Sequence, residues 1–270
     1  AGLSALVSFA STDDRAGIDA LAQTGQPRLV VFEIHAVNGT NCQAAGPVVD
    51  SLALRYEREN RPVVFVEYNA RNQPGDRLDR WYDAYDDRRD CALPLVLVDS
   101  GVGWTCGWED FGSVYTGLVE QALARPAGAD LSARYTRSAS DLDVSIQVVN
   151  RSGKPLGPEN GATLNVIVFE RKKVQVTGRF VRGVTAARLD PALPDGAQAA
   201  YRLRLTNLWE VEWDRAVVVA LLDYRPGGAS GRYESLQAAI AVEGPPATET
   251  PRPSPTPVPT ATATPTATLT

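Results

Sequence analysis

The period of the apolar residues changes once along the chain, near Leu131, and that change limits the folds open to it. Before it, short apolar runs alternate with segments of helical spacing. After it the spacing is two. "DLDVSIQVVN" puts Leu142, Val144, Ile146 and Val148 on one side of an extended chain, and "ATLNVIVFE" does the same with Leu164, Val166 and Val168. A period of two marks strands with one covered face. "YRLRLTN", "LWEVEWD" and "AVVVALLDY" continue it, with Trp209, Val211 and Trp213 on one face, and "NRSGKP" and "RPGGASG" supply turns. Roughly seven short strands in about 110 residues predict an all-β sandwich of immunoglobulin-like type over residues 131–243. The Cys–Trp–Cys pattern of antibody domains is absent, so the expectation concerns architecture alone.

The preceding part reads differently. Asp13–Gln23 has the spacing of a short helix. "RLVVFEIHA" (Arg28–Ala36) is apolar nearly throughout, as a strand buried on both faces would be. Asn41 is placed to cap a helix over Cys42–Asn60, with Val48, Leu52 and Leu54 on its apolar side and Pro47 as a kink. "PVVFVEYN" is a second buried strand. "GDRLDRWYDAYDDRRD" is a charged helix whose carboxylates alternate with arginines, the pattern of a solvated face rather than a metal site. "LPLVLVD" is a third strand, turned back by Ser100-Gly101 into "GWTCGW", and Phe111–Ala124 closes the unit as a helix. This alternation predicts an α/β domain over residues 13–125, with parallel pairing by crossovers and an antiparallel hairpin at one side. Arg125–Asp130 reads as a linker. Residues 1–12 read either as an N-terminal strand or as a segment adjoining a removed signal peptide. From Gly244 to Thr270 the chain is mostly Pro, Thr and Ala, the composition of a disordered, solvated spacer.

Bulk properties exclude several functions. The chain has 270 residues and a net charge of −5, so nucleic acid and anionic membrane surfaces are not expected partners. No apolar stretch reaches the ~18 residues of a membrane span. The three cysteines, Cys42, Cys91 and Cys106, are too few for a disulfide-dense scaffold, and their odd number leaves at least one thiol free or paired between chains. The Pro/Thr-rich tail favours a modular exported protein, secreted or tethered at a bacterial surface. "NGT" and "NRS" fit the glycosylation pattern but are short enough to arise by chance.

Three stretches in order resemble the thioredoxin family, over roughly Asp13–Ala124. Val30–Phe32 and Glu33 stand for its hydrophobic strand and buried acid, Ile34-His35-Ala36 for its Phe-Trp-Ala, and Asn38 for the tryptophan before its motif. Gly39-Thr40-Asn41-Cys42 falls on its Cys-Gly-Pro-Cys, with Pro47 as the helix proline. "YNARNQPG" (Tyr68–Gly75) and "ALPLVLVDSG" (Ala92–Gly101) are similar to its two downstream motifs. The resemblance implies a thioredoxin-like fold and a cis proline, Pro94, facing the site. It also exposes a deficit. Gly39 stands in the place of the attacking cysteine and Cys42 in that of the buried resolving one, so two-cysteine exchange at this motif is chemically impossible.

Two functional readings follow. In the first, the chain is a non-catalytic binding or structural module. A groove formed by Gly39, Thr40, Asn41, Cys42, Leu93, Pro94 and His35 would hold an extended peptide, or another envelope protein. In the alternative, the chain is a thiol–disulfide oxidoreductase using Cys42, alone or with Cys91. A Cys42–Cys91 bridge suits that reading. A Cys91–Cys106 bridge is disfavoured, because antiparallel register about the Ser100-Gly101 turn puts the two several residues out of line. His35, the single histidine, reads either as a tuner of Cys42 or as a half-buried strand residue. Glu33 is expected to be buried, with a raised pKa if unpaired, and Arg71 is a possible partner. No cofactor is expected. A Cys3His zinc site has no paired cysteine spacing to recommend it, a Ser–His–Asp triad would have to use His35, and no phosphate-binding glycine loop occurs.

Overall fold

The structure, a computed structural model, describes residues 8–9, 27–72, 74–84, 91–228 and 231–245. The expected Asp13–Gln23 helix and most of the Pro/Thr-rich tail lie outside them. The elements in chain order begin with strand β1 (Ser8–Phe9), strand β2 (Val30–Ala36), helix α1 (Thr40–Arg58), strand β3 (Val63–Asn69) and helix α2 (Arg77–Ala84). Strands β4 (Leu95–Val98) and β5 (Gly103–Cys106) and helix α3 (Phe111–Leu123) complete the first half. The second half is β6 (Ala129–Ser138), β7 (Asp141–Asn150), β8 (Thr163–Glu170), β9 (Phe180–Arg188), β10 (Gln198–Leu205), β11 (Ala216–Tyr224), β12 (Glu234–Ile240) and β13 (Val242–Glu243).

The expected fold class, an α/β thioredoxin-like domain followed by a separate all-β immunoglobulin-like sandwich, is not what forms. The described chain is mostly β, in two mixed sheets. The five-stranded sheet has the order β1-β10-β7-β6-β13. The eight-stranded sheet has the order β12-β11-β8-β9-β3-β2-β4-β5, so it passes from the second half of the chain into the first. The seam is a parallel bridge between β3 and β9, at Glu67 and Phe180, where the Glu67 N–H donates to the Arg179 carbonyl at 2.7 Å.

The physical reason lies in the faces of the strands. β2 is buried along its whole length. Its even residues, Val30, Phe32, Ile34 and Ala36, pack with α1 and α3. Its other face needs a cover too, and the second half supplies it. Val31, Val64, Val66 and Tyr68 pack against Ile167, Phe169, Val181, Val219, Leu221 and Ala238. The opposite faces of β8 and β11, with Leu164, Val166, Val168, Val218, Ala220 and Leu222, pack against Leu142, Val144, Ile146 and Leu203 of the five-stranded sheet. The result is four layers: helices, the β2–β3 part of the large sheet, its β8–β11 part, and the small sheet. α2 covers the outer side of the β4–β5 hairpin through Leu78 and Trp81, against Leu95 and Leu97.

Burying charge in such an interface requires compensation. Arg77, read in the sequence as part of a solvated helix face, is buried. Its Nε donates to Glu33 Oε2 at 2.6 Å, and its Nη2 donates to the other carboxylate oxygen. Its Nη1 donates to Asp223 on β11 at 3.2 Å, and Arg80 donates to the same carboxylate at 3.0 Å. Asp223 also accepts from the Ser100 hydroxyl at 3.0 Å. Ser100 lies in the turn between β4 and β5 with φ of 61°, a conformation that side chains other than glycine adopt only when held.

Other local readings also change. α1 starts at Thr40 with Gly39 as its N-cap and no side-chain cap bond, so Asn41 is inside the helix. "LWEVEWD" is turn and irregular chain rather than a strand, with Trp209 exposed, Val211 buried and Trp213 half-buried. The Arg125–Asp130 stretch is tied down: Arg125 pairs with Asp99 and Glu234, and the Gly128 N–H donates to the Leu236 carbonyl at 2.9 Å. Ser8–Phe9 pairs with Ala199 and Ala200 of β10, at the edge of the small sheet.

Two measurements test this architecture. The two halves unfold in one cooperative transition by calorimetry and by denaturant; two separated transitions would refute the shared core. Arg77→Met leaves Glu33 and Asp223 buried without their shared cation. It lowers stability by about 3–5 kcal/mol, and a loss below about 1 kcal/mol in urea denaturation would show that the pair is solvated.

Candidate functional site

α1 begins where β2 ends, and the turn between them sets the site. The Gly39 N–H donates to the Val37 carbonyl at 2.8 Å, and the Gly39 carbonyl accepts from Gln43 at 2.8 Å. The first-turn N–H groups of a helix have no partner within it, and this first turn holds no acidic residue and no side-chain cap. Their partial positive charge therefore faces outward. Across from the helix end lies the segment before β4. There the Leu93–Pro94 peptide is cis, as the resemblance implies. Between them is an open groove of ≈ 320 Å³, lined by Val37, Gly39, Thr40, Asn41, Cys42 and Leu93.

Of the residues expected in this groove, Gly39, Thr40, Asn41, Cys42 and Leu93 are thus brought together. Pro94 is buried and is not among the residues that line the groove. His35 is not in the groove. It belongs to the odd face of β2, while Cys42 packs in the core under the even face. His35 is fully buried and stacks on Tyr68, with ring centroids 4.8 Å apart, and its Nε2 lies 4.0 Å from Glu33. The alternation of a strand separates it from Cys42, which removes the reading of His35 as a tuner of that thiol and leaves it a buried strand residue. Glu33 lies on that same far face, and its partner is Arg77 rather than the exposed Arg71.

The buried carboxylate on the cysteine's side is Glu67, which sequence reasoning missed. It sits opposite Ile34 in the β2–β3 register. Burial raises its pKa, opposed by the hydrogen bonds it accepts: Thr177 N at 2.6 Å, Thr177 Oγ1 at 2.8 Å and Val176 N at 3.1 Å. Glu67 therefore anchors the β8–β9 loop, which fits against α1. A Cβ on Gly46 would lie 2.2 Å from the Val176 carbonyl oxygen, so only glycine permits this approach. "VVFVEYN" held the signal: an acid inside an otherwise apolar run, with no charged neighbour in the strand to pair with.

The chemistry open to Cys42 follows from its surroundings. It is free of disulfides and 2% exposed. Burial raises its thiol pKa above the ordinary value; a hydrogen bond from the Val37 backbone opposes this and the Glu67 charge reinforces it. At neutral pH the group is a thiol, and the thiol is the non-nucleophilic form. Cys91 is not available to it, because Cys91 is bonded to Cys106 with Cα atoms 5.8 Å apart. The register objection to that bridge assumed that the strand continued straight back from Leu95. Leu95 does oppose Cys106, but the chain before it folds across the hairpin end, where the Gly107 N–H donates to the Pro94 carbonyl at 3.0 Å. Both partners of the Cys42–Cys91 exchange reading are thereby removed from it.

Comparison with known proteins adds a fold and no function. No family profile and no curated protein matches the chain. Among solved structures, HBP35 of Porphyromonas gingivalis is similar with a TM-score of 0.54, at 13% identity, over 86% of this chain and 81% of that one. Spo0M, a sporulation control protein from Bacillus subtilis, aligns over 43% of this chain and 49% of its own, with a TM-score of 0.27 at 9% identity. No helix among the described residues is long and apolar enough to cross a membrane.

The thiol environment gives a direct test. A native protein treated with iodoacetamide at neutral pH remains unlabelled at Cys42 until denaturant is added, and peptide mapping finds the Cys91–Cys106 bridge. The thiolate absorbance near 240 nm, taken as the difference from Cys42→Ser, titrates on the alkaline side of an ordinary thiol. The sign for stability follows. With the folded pKa raised, the contribution of Cys42 is complete below the unfolded thiol pKa and is lost as pH rises through the folded value. A midpoint on the acid side, or rapid native labelling, would make Cys42 a nucleophile.

Proposed function

We propose that this chain is an extracytoplasmic binding protein whose site is a degenerate thiol–disulfide exchange site, kept as a groove for an extended peptide. The observation that carries the reading is the state of Cys42. It is buried and protonated, three residues after an N-cap glycine at the position where an attacking thiol would stand. No electron pair is poised there for attack. What remains is a shape with two chemical characters. Val37 and Leu93 offer apolar walls, and the start of α1 offers N–H donors from Thr40 and Asn41. Backbone carbonyls of an extended chain suit such donors, and alternate side chains suit the walls. The internal disulfide and the Pro/Thr-rich tail support a location outside the reducing cytoplasm.

A substitution at position 39 tests the groove without disturbing the fold. Gly39 is extended, with φ of −142°, and a Cβ there meets only Val37 Cγ2 at 3.8 Å. A larger side chain is therefore accommodated and fills the groove. Peptides selected from a displayed random library against the native protein shift the amide resonances of Thr40–Cys42 and Leu93. Gly39→Trp weakens their binding at least tenfold with little change in Tm. Selection that yields no binder, or binders indifferent to Gly39→Trp, would reject the reading.

A further inference from the structure

One wall of the groove is held by a covalent bond that a thiol reagent can break. Leu93 forms that wall, and it lies two residues after Cys91 and just before Pro94. Ala92 and Leu93 belong to no strand, and Ala92 is exposed. Among the described residues, the segment's polar and covalent ties to the hairpin are the Gly107 N–H to Pro94 carbonyl bond and the Cys91–Cys106 disulfide. Both cysteines pack at the margin of the small core formed by Leu78, Trp81, Leu95 and Leu97, and Leu93 is half-buried between that margin and the edge of the core under α1. Cys91 and Cys106 are both half-buried rather than sealed in the interior. Their disulfide joins residues 15 apart, and the span it closes contains the whole β4–β5 hairpin.

We infer that the Cys91–Cys106 disulfide is a redox control on the groove. Oxidised, it holds Leu93 opposite the start of α1. Reduced, it releases the segment before Pro94, and the groove loses one wall. The chemistry is a two-electron exchange with a dithiol. One thiolate of the reductant attacks a sulfur of the pair and expels the other cysteine as a thiolate. The reductant's second thiol then resolves the mixed disulfide. Cys91 and Cys106 end as thiols, and the reductant ends as its own disulfide. Cys42 takes no part in the exchange. It serves as an internal reporter, because Cys42 lines the same groove and Leu93 packs against the core that buries it. This inference rests on the groove reading above, yet its test needs no ligand.

The test is the rate at which iodoacetamide labels Cys42. In Cys91→Ser/Cys106→Ser the only thiol is Cys42. The expected result is a rate at least tenfold above that of the oxidised wild type, with the far-ultraviolet and near-ultraviolet circular dichroism of a folded protein. An unchanged rate in a folded variant overturns the inference. Should the double variant unfold, wild type reduced with a water-soluble phosphine is followed by hydrogen exchange instead. Faster exchange at Ala92 and Leu93, with β4 unchanged, supports the control. Exchange unchanged at those residues, or raised equally throughout the chain, rejects it. Failure of the peptide selection would reject the groove's ligand and leave these rates as they are, so the two readings fail separately.

Discussion

The guanidinium of Arg77 is the point on which the two halves of the chain depend. It reaches Glu33 on a strand of the first half and Asp223 on a strand of the second, and all three groups are buried. Either carboxylate alone in that position would be expensive to ionise, and the cation alone equally so. Together with Arg80 and Ser100 they form a satisfied set in which each donor has an acceptor. The set also fixes geometry. A guanidinium offers donors in a rigid fork, so α2, the β4–β5 turn and β11 must stand at set distances from β2. The apolar contacts between the halves are more numerous but do not dictate direction in this way.

Much of the local structure was legible. "RLVVFEIHA" and "PVVFVEYN" announced strands covered on both faces, and they are. The β4–β5 hairpin and α3 lie close to where turn residues and spacing put them. What the sequence did not disclose was the identity of the second cover. "TLNVIVFE" and "AVVVALLDY" carry apolar residues on both faces, at Ile167, Phe169, Val219 and Leu221 as well as on the alternate positions. Reading only the alternation hid the second set. Had both sets been counted, a separate sandwich with one solvated face would have been untenable.

The site was legible in its backbone and misread in its side chains. The turn after β2 and a helix beginning close to Cys42 follow from local spacing, although the cap is Gly39 rather than Asn41. The partners of Glu33 and Glu67 do not, because they come from residues far along the chain. Glu33 and Arg77 are 44 positions apart, and Glu67 lies more than a hundred from the 176–177 amides. Charge patterning along a helix describes neighbours at three and four positions, and it made Arg77 look solvated. His35 was misplaced for a simpler reason. It is adjacent to the motif in sequence, but an odd residue of β2 looks away from α1.

The fit of the β8–β9 loop against α1 has a consequence for how such a chain can arise. Val176 lies against a helix whose glycine leaves no room for even a methyl group, and Glu67 supplies the acceptors for the loop's amides. The change of pattern near Leu131 is thus a boundary of sequence texture and not a place where the protein can be cut and rejoined. A different partner fused after α3 would inherit an uncovered apolar sheet face and a buried acid without donors. Recombination at this point is closed to the lineage unless the loop travels with it, and drift in α1 and in the loop must proceed in step.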